Sequence, residues 1–311
     1  MALKGWGDSD DLAEQCIKKA DIVRKERIYL QAVERMNSNS IADLQQAELL
    51  LKSIVGWKDS AALIESIPSL CEVLRRKEAL YLEAVEYAKS KKPKELQKAV
   101  LILKTMLDWK DSIDILSDIF ARTKDGKKLK ISGAVYNQKD GVLYWGDESQ
   151  PYLCIIGVKD YEMTEAVIEK GCKAIFEASF RHCSKLMKLD IPQSVVGIGS
   201  HAFEYCNKLT SVTIGGNIKK IKNSTFAHCA WLRSVTIENG VQDIDLWAFG
   251  NCPCMSYIYI PNTIKSIGRY AFTLCTRLTD VYYKGSATDW KKITIDADNS
   301  CLMNATIHYN S

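Results

Sequence analysis

The sequence has no apolar run long enough to span a bilayer, which argues against a helical membrane protein. Its first residues, MALKGWGDSDDLAEQ, hold neither an apolar core nor a small-residue cleavage site. No secretory leader is therefore expected in the chain as given. Charge of one sign is not in excess: 42 basic residues against 38 acidic ones leave a net +4. A dedicated nucleic-acid binder concentrates basic charge on one face, so no nucleic-acid partner is expected. There are 4 histidines, and no two cysteines stand in C-x-x-C spacing. Cys252 and Cys254 are two apart, with no second pair to complete a zinc knuckle. The phosphate-cradling pattern G-x-x-x-x-G-K-S/T is also missing. These absences leave no catalytic group, no cofactor, no metal site and no small-molecule ligand to expect.

What is present is ordinary globular composition, 47% hydrophobic and 26% charged, which excludes a disordered chain. A length of 311 residues suggests two domains, or one domain and a repeat array. Internal periodicity decides between them. Phe180, Phe203, Phe226, Phe249 and Phe272 are each 23 residues apart. Cys183, Cys206, Cys229, Cys252 and Cys275 keep the same step, as do Leu186, Leu209, Leu232, Met255 and Leu278. Leu189, Val212, Val235, Ile258 and Val281 form a fourth column; Ile191, Ile214, Ile237, Ile260 and Tyr283 form a fifth. Ile175, Ile198, Ile221, Ile244 and Ile267 make the sixth. Six columns over five units without an insertion are not a chance alignment.

Each unit reads roughly I-x-x-x-A-F-x-x-C-x-x-L-x-x-V-x-I. The V-x-I piece alternates as a short half-buried strand does. One such unit cannot bury its apolar side, whereas stacked coils can, each column packing on its own copy in the next coil. The cysteine column then occupies an apolar slot, where cysteine acts as a small hydrophobe. Five stacked cysteines cannot all pair, so a reduced ladder and a reducing compartment are expected.

Units such as KLDIPQSVVGIGSHAFEYCNKLTSVTI and YIYIPNTIKSIGRYAFTLCTRLTDVYY resemble the BspA-like class of bacterial leucine-rich repeats. The hallmarks of that class are I-P-x-S-V-x-x-I-G-x-x-A-F-x-x-C-x-x-L. The tail YYKGSATDWKKITIDADNSCLMNATIHY is similar to that family's terminal segment, and GVLYWGDESQPYLCIIGVKDYEMTEAVIEKGCKAI to a degenerate opening unit. The resemblance covers about residues 140–311. Gly215-Gly216 and Glu238-Asn239-Gly240 depart from it at the I-P-x-S corner, and Ser179 and Thr225 replace the Ala before Phe. The resemblance implies a surface or secreted interaction protein without enzymatic activity. The sequence as given points to the cytoplasm, or to the cell surface or secretion if a leader was removed.

Residues 1–125 repeat with a longer step. Trp6-Gly7-Asp8-Ser9 matches Trp57-Lys58-Asp59-Ser60 and Trp109-Lys110-Asp111-Ser112 at steps of 51 and 52. KERIYLQAVERM aligns with KEALYLEAVEYA, and ADLQQAELLLKSIVGWKDS with KELQKAVLILKTMLDWKDS. Leu44, Ala47, Leu50, Leu51 and Ile54 lie on one helical stripe. The Asp-Ser pair reads as an N-cap, with the preceding helix ending at Gly56, and Pro93 suits a first helical turn. A stack of antiparallel helices follows, an α-solenoid similar to tetratricopeptide-type arrays.

The expected protein is thus an α+β repeat protein: an N-terminal α-helical solenoid and a C-terminal leucine-rich-repeat β-solenoid. The domains are 1–125 and 126–311, the second divided into an opening unit (126–165), repeats of 23 residues (166–283) and a terminal cap (284–311). The polar join Lys124-Asp125-Gly126-Lys127-Lys128 marks the boundary.

Chemistry is hard to find in this frame. His182 and His228 lie two coils apart, roughly 10 Å by strand spacing, too far for one metal. Each adjoins a column cysteine, but sequence neighbours point apart, so thiol activation is not expected. His201 stands alone and His308 lies in the terminal segment; all four read as surface or satisfied histidines. The run Lys89, Lys91, Lys92, Lys94 reads as a solvated turn or an anionic-partner contact.

Binding has a better address. The residue between the two inward strand positions faces out: Asp190, Thr213, Thr236, Tyr259 and Tyr282. Lys188, Ser211, Ser234, Tyr257 and Asp280 flank them. Tyr257, Tyr259 and Tyr282 cluster at the C-terminal coils, either as a recognition patch or as cover for the sheet. The expected function is a non-catalytic protein-interaction scaffold with a protein partner, with an adhesin for host protein or carbohydrate as the alternative. The groove of the helical array is a second candidate surface.

Overall fold

The computed structural model describes residues 7–123, 129, 131 and 133–310, with side chains from residue 14 onward. Trp6, which opens the first W-x-D-S copy, and the join at 124–128 lie outside the described residues. The chain folds as two compact units, Met1–Glu83 and Ala84–Ser311.

In the first unit, α1 (Gly7–Met36), α2 (Ile41–Lys52) and the beginning of α3 (Ser60–Ala88) share one core. Ala32, Leu44, Ala47, Leu51, Ile67 and Cys71 fill it, with Leu50 half-buried at its edge. Leu44, Ala47 and Leu51 recur at helical spacing, so one face of α2 is apolar and goes inside. Ser40 caps α2, its Oγ accepting the Asp43 amide at 3.3 Å. The helix ends at Lys52, not at Gly56 as expected, and Gly56 takes a left-handed φ of 86° in the turn that follows.

The W-K-D-S motif starts helices at Ser60 and Ser112, but side-chain capping is not its means. Asp111 makes no capping hydrogen bond, and Asp59 accepts the Tyr29 hydroxyl at 2.7 Å. The lysine does the turning: Lys58 (φ 49°) and Lys110 (φ 44°) are both left-handed. The serine amides then return to the Trp57 and Trp109 carbonyls at 3.1 Å.

The second unit begins with the end of α3, then α4 (Pro93–Leu103) and α5 (Ser112–Arg122). Pro93 sits in the first turn of α4, where its missing N–H costs nothing. A meander of β1 (Ala134–Lys139), β2 (Val142–Asp147) and β3 (Cys154–Val158) opens the solenoid. The chain then alternates between two sides of a coil. The front strands are β4 (Glu165–Val167), β6 (Lys188–Asp190), β8 (Ser211–Ile214), β10 (Ser234–Ile237), β12 (Tyr257–Ile260), β14 (Asp280–Tyr283) and β16 (Thr306–Tyr309). The back strands are β5 (Ala174–Ile175), β7 (Gly197–Ile198), β9 (Lys220–Ile221), β11 (Asp243–Ile244), β13 (Ser266–Ile267) and β15 (Thr294–Ile295). Two four-residue helices, α6 (Ala287–Trp290) and α7 (Ser300–Met303), lie in the last segment.

All front pairs are parallel, and from β8 to β14 their register is the repeat itself: Val212, Val235, Ile258 and Val281 are successive partners. Between the two sides run ladders of identical side chains. Phe180, Phe203, Phe226, Phe249 and Phe272 are fully buried and stacked, with ring centroids 5.0–5.7 Å apart. Each such pair adds about 0.5–1.5 kcal/mol beyond area burial. The departing corners approach closely: a Cβ on Gly240 (φ 113°) would lie 2.2 Å from the Gly216 carbonyl oxygen. Only glycine fits there.

Both ends of the solenoid are closed. At the start, α5 lies on the back strands: Phe120 meets Trp145 and Phe176 edge-on at 4.9 and 5.4 Å. Ser117 Oγ accepts the Glu177 amide at 3.0 Å, Lys222 pairs with Asp114 at 2.6 Å, and Lys104 with Asp147 at 3.0 Å. At the far end, Asn299 imitates an absent coil. The Phe180, Phe203, Phe226 and Phe249 amides donate to the Ala202, Thr225, Ala248 and Ala271 carbonyls of the following coil. Phe272 has no following coil and donates instead to Asn299 Oδ1 at 3.0 Å. Asn299 Nδ2 in turn donates to the Gly268 carbonyl at 2.9 Å.

Candidate recognition surface

On a parallel sheet one face of each strand goes to the core and the other to solvent. β8 and β12 show this alternation: Val212, Ile214, Ile258 and Ile260 are buried, while Ser211, Thr213, Tyr257 and Tyr259 are exposed. The two outward rows expected from the sequence are therefore rows in the fold. Thr213, Thr236, Tyr259 and Tyr282 are successive partners in one, and Ser211, Ser234, Tyr257 and Asp280 in the other; Asp190 and Lys188 lie outward on β6, which pairs with β4.

The three tyrosines form one cluster. Tyr259 and Tyr282 stack at 4.8 Å, and Tyr257 meets both edge-on at 5.9 and 6.3 Å. His308 extends the stack, 4.7 Å from Tyr282, and its Nε2 lies 2.7 Å from Asp280 Oδ1. That contact, with the Thr279 hydroxyl, holds the Asp280 carboxyl below the usual range. His308 stands outside the 23-residue columns because its register partner is Tyr282, 26 residues back, so the column breaks at the terminal cap. The strand spelling T-I-H-Y was the signal that could have found it.

Further toward the start, the same face is polar. A recess of about 310 Å³ is bounded by Asp190, Gln193, Ser211 and Thr213 among others. Among the described residues nothing hydrogen-bonds the side-chain hydroxyls of Ser211, Thr213, Ser234 and Thr236. Some hydroxyls elsewhere on the coils are occupied: Ser266 donates to Asp243 at 2.6 Å, Thr263 to the Val241 carbonyl at 2.7 Å.

The remaining chemical candidates are structural in their surroundings. Cys206, Cys229, Cys252 and Cys275 each donate their thiol to the carbonyl of a Phe in the preceding coil at 3.2–3.3 Å. Burial pushes the Cys183 and Cys229 thiols up to about 12, and Cys206 and Cys252 well above the ordinary value. A thiol held protonated is a poor nucleophile. The column is thus more than an apolar slot, since four of its five S–H groups donate to a buried carbonyl. All 11 cysteines are free.

His182 and His228 stand in a second aromatic ladder on the turn side of the coils. Tyr205 lies between them at 4.8 and 4.4 Å, and Trp247 and Tyr270 continue the row. His201 Nδ1 lies 3.1 Å from the buried Glu204, which also pairs with Arg181 at 2.6 Å. Among the described residues no three His, Cys, Asp or Glu side chains gather as a metal site. Nor is any described helix long and apolar enough to cross a membrane. Lys89 and Lys92 pair with Glu86 and Glu95 in an exposed turn.

Three solved structures are similar to parts of the chain. A leucine rich cell surface protein from Faecalibacterium prausnitzii A2-165 is 32% identical over 52% of this chain and 43% of its own, with a TM-score of 0.48. A leucine-rich repeat protein from Eubacterium ventriosum ATCC 27560 is 18% identical over 51% and 41%, with a TM-score of 0.43. The pneumococcal vaccine antigen PcpA is 16% identical over 60% and 47%, with a TM-score of 0.44. The chain spans less than half the length of each. No curated protein matches it. Residues 159–288 match the BspA type leucine rich repeat region in 6 copies, with the column spacing and coil geometry described above. This part of the chain is thus similar to BspA type leucine rich repeat regions.

Proposed function

We propose that the front face of the solenoid is the recognition surface of a non-catalytic scaffold whose partner is a protein. Leucine-rich-repeat arrays are repeat proteins for protein interaction, and this chain contains one. The observation that carries the reading is the contrast along one face. A cluster of four rings, Tyr257, Tyr259, Tyr282 and His308, adjoins four hydroxyls without partners among the described residues. Tyrosine presents a large apolar body with a polar tip and is enriched where binding energy concentrates. The buried, protonated thiols and the histidines held within ring stacks supply no nucleophile–base pair, which supports a role without catalysis.

In this reading residues 1–125 are a helical repeat array and 126–311 the leucine-rich array. Supporting the first, a long helix and a short one recur in order, α1 and α2, then α3 and α4. Capture of partners by the full chain from extracts of its source organism tests the front face. Changing Tyr257, Tyr259 and Tyr282 together to Ser is expected to abolish capture; undiminished capture sinks the proposal.

A further inference from the structure

We infer that the front face holds a site for a neutral oligosaccharide carried on the partner protein, running from the Tyr259 ring across the hydroxyl floor toward Asp190. This deepens the preceding proposal and rests on its assignment of the front face. The case starts from the Tyr259 ring. Tyr282 covers one of its faces at 4.8 Å, with the planes 20° apart. Tyr257 cannot cover the other, because its ring lies at nearly equal distances from both, 5.9 and 6.3 Å, and so flanks the pair. The strand on the open side, β10, places Thr236 in register with Tyr259, and threonine is too short to reach over a phenol ring. The second face of Tyr259 is therefore open and looks along the sheet toward β10. The residue is 36% exposed.

Beyond that ring the floor carries Thr236 and Thr213 in one row and Ser234 and Ser211 in the other. Their four hydroxyls find no protein partner among the described residues. One more strand brings Asp190, whose carboxylate is paired with no cation among the described residues, beside the polar recess. From Tyr259 to Thr213 is two strand steps, about 10 Å, and Asp190 borders the recess beside Thr213.

A wall with one electron-rich ring face, a floor of donor-acceptor hydroxyls and a terminal carboxylate match the two-sided chemistry of a sugar chain. Ring C–H bonds meet the aromatic face, and hydroxyls meet hydroxyls and the carboxylate. An apolar peptide side chain would leave the floor's hydroxyls unpaired. Asp190 disfavours a sulfated or sialylated chain, and the neighbouring Lys188 is already held by Glu165 at 2.6 Å.

An array carrying neutral oligosaccharides beside sialylated and sulfated ones, probed with the full chain, tests the site. Calorimetry on the retained neutral members then gives affinities. Tyr259→Ala is expected to weaken binding about tenfold, whereas Tyr259→Phe, which keeps the ring, stays within about threefold. Thr236→Val and Asp190→Asn each weaken it, while Tyr270→Ala, on the turn side, does not. Circular dichroism confirms that each variant is folded. The inference is overturned if no neutral oligosaccharide is retained, if charged ones are preferred, or if Tyr259→Ala binds as tightly as the parent. Failure of the array while the triple Ser variant still loses protein capture removes the sugar and leaves the recognition face. Failure of both removes the face itself.

Discussion

Replacing Asn299 with alanine removes the group that stands in for a missing coil. Its Oδ1 is the acceptor for the buried Phe272 amide, and its Nδ2 donates to the Gly268 and Asp296 carbonyls. The amide makes no other hydrogen bond among the described residues, and an unsatisfied buried donor costs about 1–3 kcal/mol. The carbonyls lose less, since each keeps a second lone pair or gains water as the cap loosens. The expected destabilisation is about 2–4 kcal/mol by the same reckoning. Urea unfolding followed by far-ultraviolet circular dichroism reads the total, and hydrogen exchange reads its location. Because each coil contacts only its neighbours, the Phe272 amide should exchange far faster while the Phe203 amide changes little. Asn299→Asp keeps an acceptor but loses the donors and buries a charge, so it should not rescue. An Asn299→Ala protein with unchanged midpoint and an equally slow Phe272 amide would refute the capping account.

The thiols give a second test. In native protein a thiol reagent should modify Cys16, Cys254 and Cys301 quickly, and the eight buried cysteines only on unfolding; rapid modification of Cys229 contradicts the ladder. Those thiols also set an alkaline limit. Cys172 and Cys229 hold their protons to about 12, while the unfolded chain releases them near the ordinary thiol value. Stability is thus unaffected below that value and falls above it, by about 1.4 kcal/mol per pH unit for each such thiol. Denaturant midpoints measured from neutrality to pH 11 should show the decline, and a flat profile argues against it. Gly197→Ala would place a Cβ 2.3 Å from Ile113 Cδ1 and so disturb the seat of α5. A loss of about 1–3 kcal/mol in thermal or urea unfolding is expected.

How much could be read from the sequence followed from how local each signal was. The 23-residue columns encode a register, so the front strands, the buried ladders and both outward rows could be placed before any coordinates. The W-K-D-S motif showed where helices begin but not how. The left-handed Lys58 and Lys110 are a backbone property that residue type alone does not announce. The seating of α5 on the back strands was hidden because Phe120, Ile113 and Ser117 look like any amphipathic helix face. Asn299 and His308 were hidden for another reason: the terminal cap abandons the 23-residue step, and each matters only through a partner far away in sequence.

The two aromatic ladders supply an internal control for the central claim. Hydroxyl-radical footprinting of the full chain, alone and with its captured partner, compares them within one sample. The front-face account predicts protection of Tyr257, Tyr259 and Tyr282, with Tyr205, Trp247 and Tyr270 on the turn side unchanged. Protection confined to Trp247 and Tyr270, with the front tyrosines as reactive as in the free chain, would contradict it.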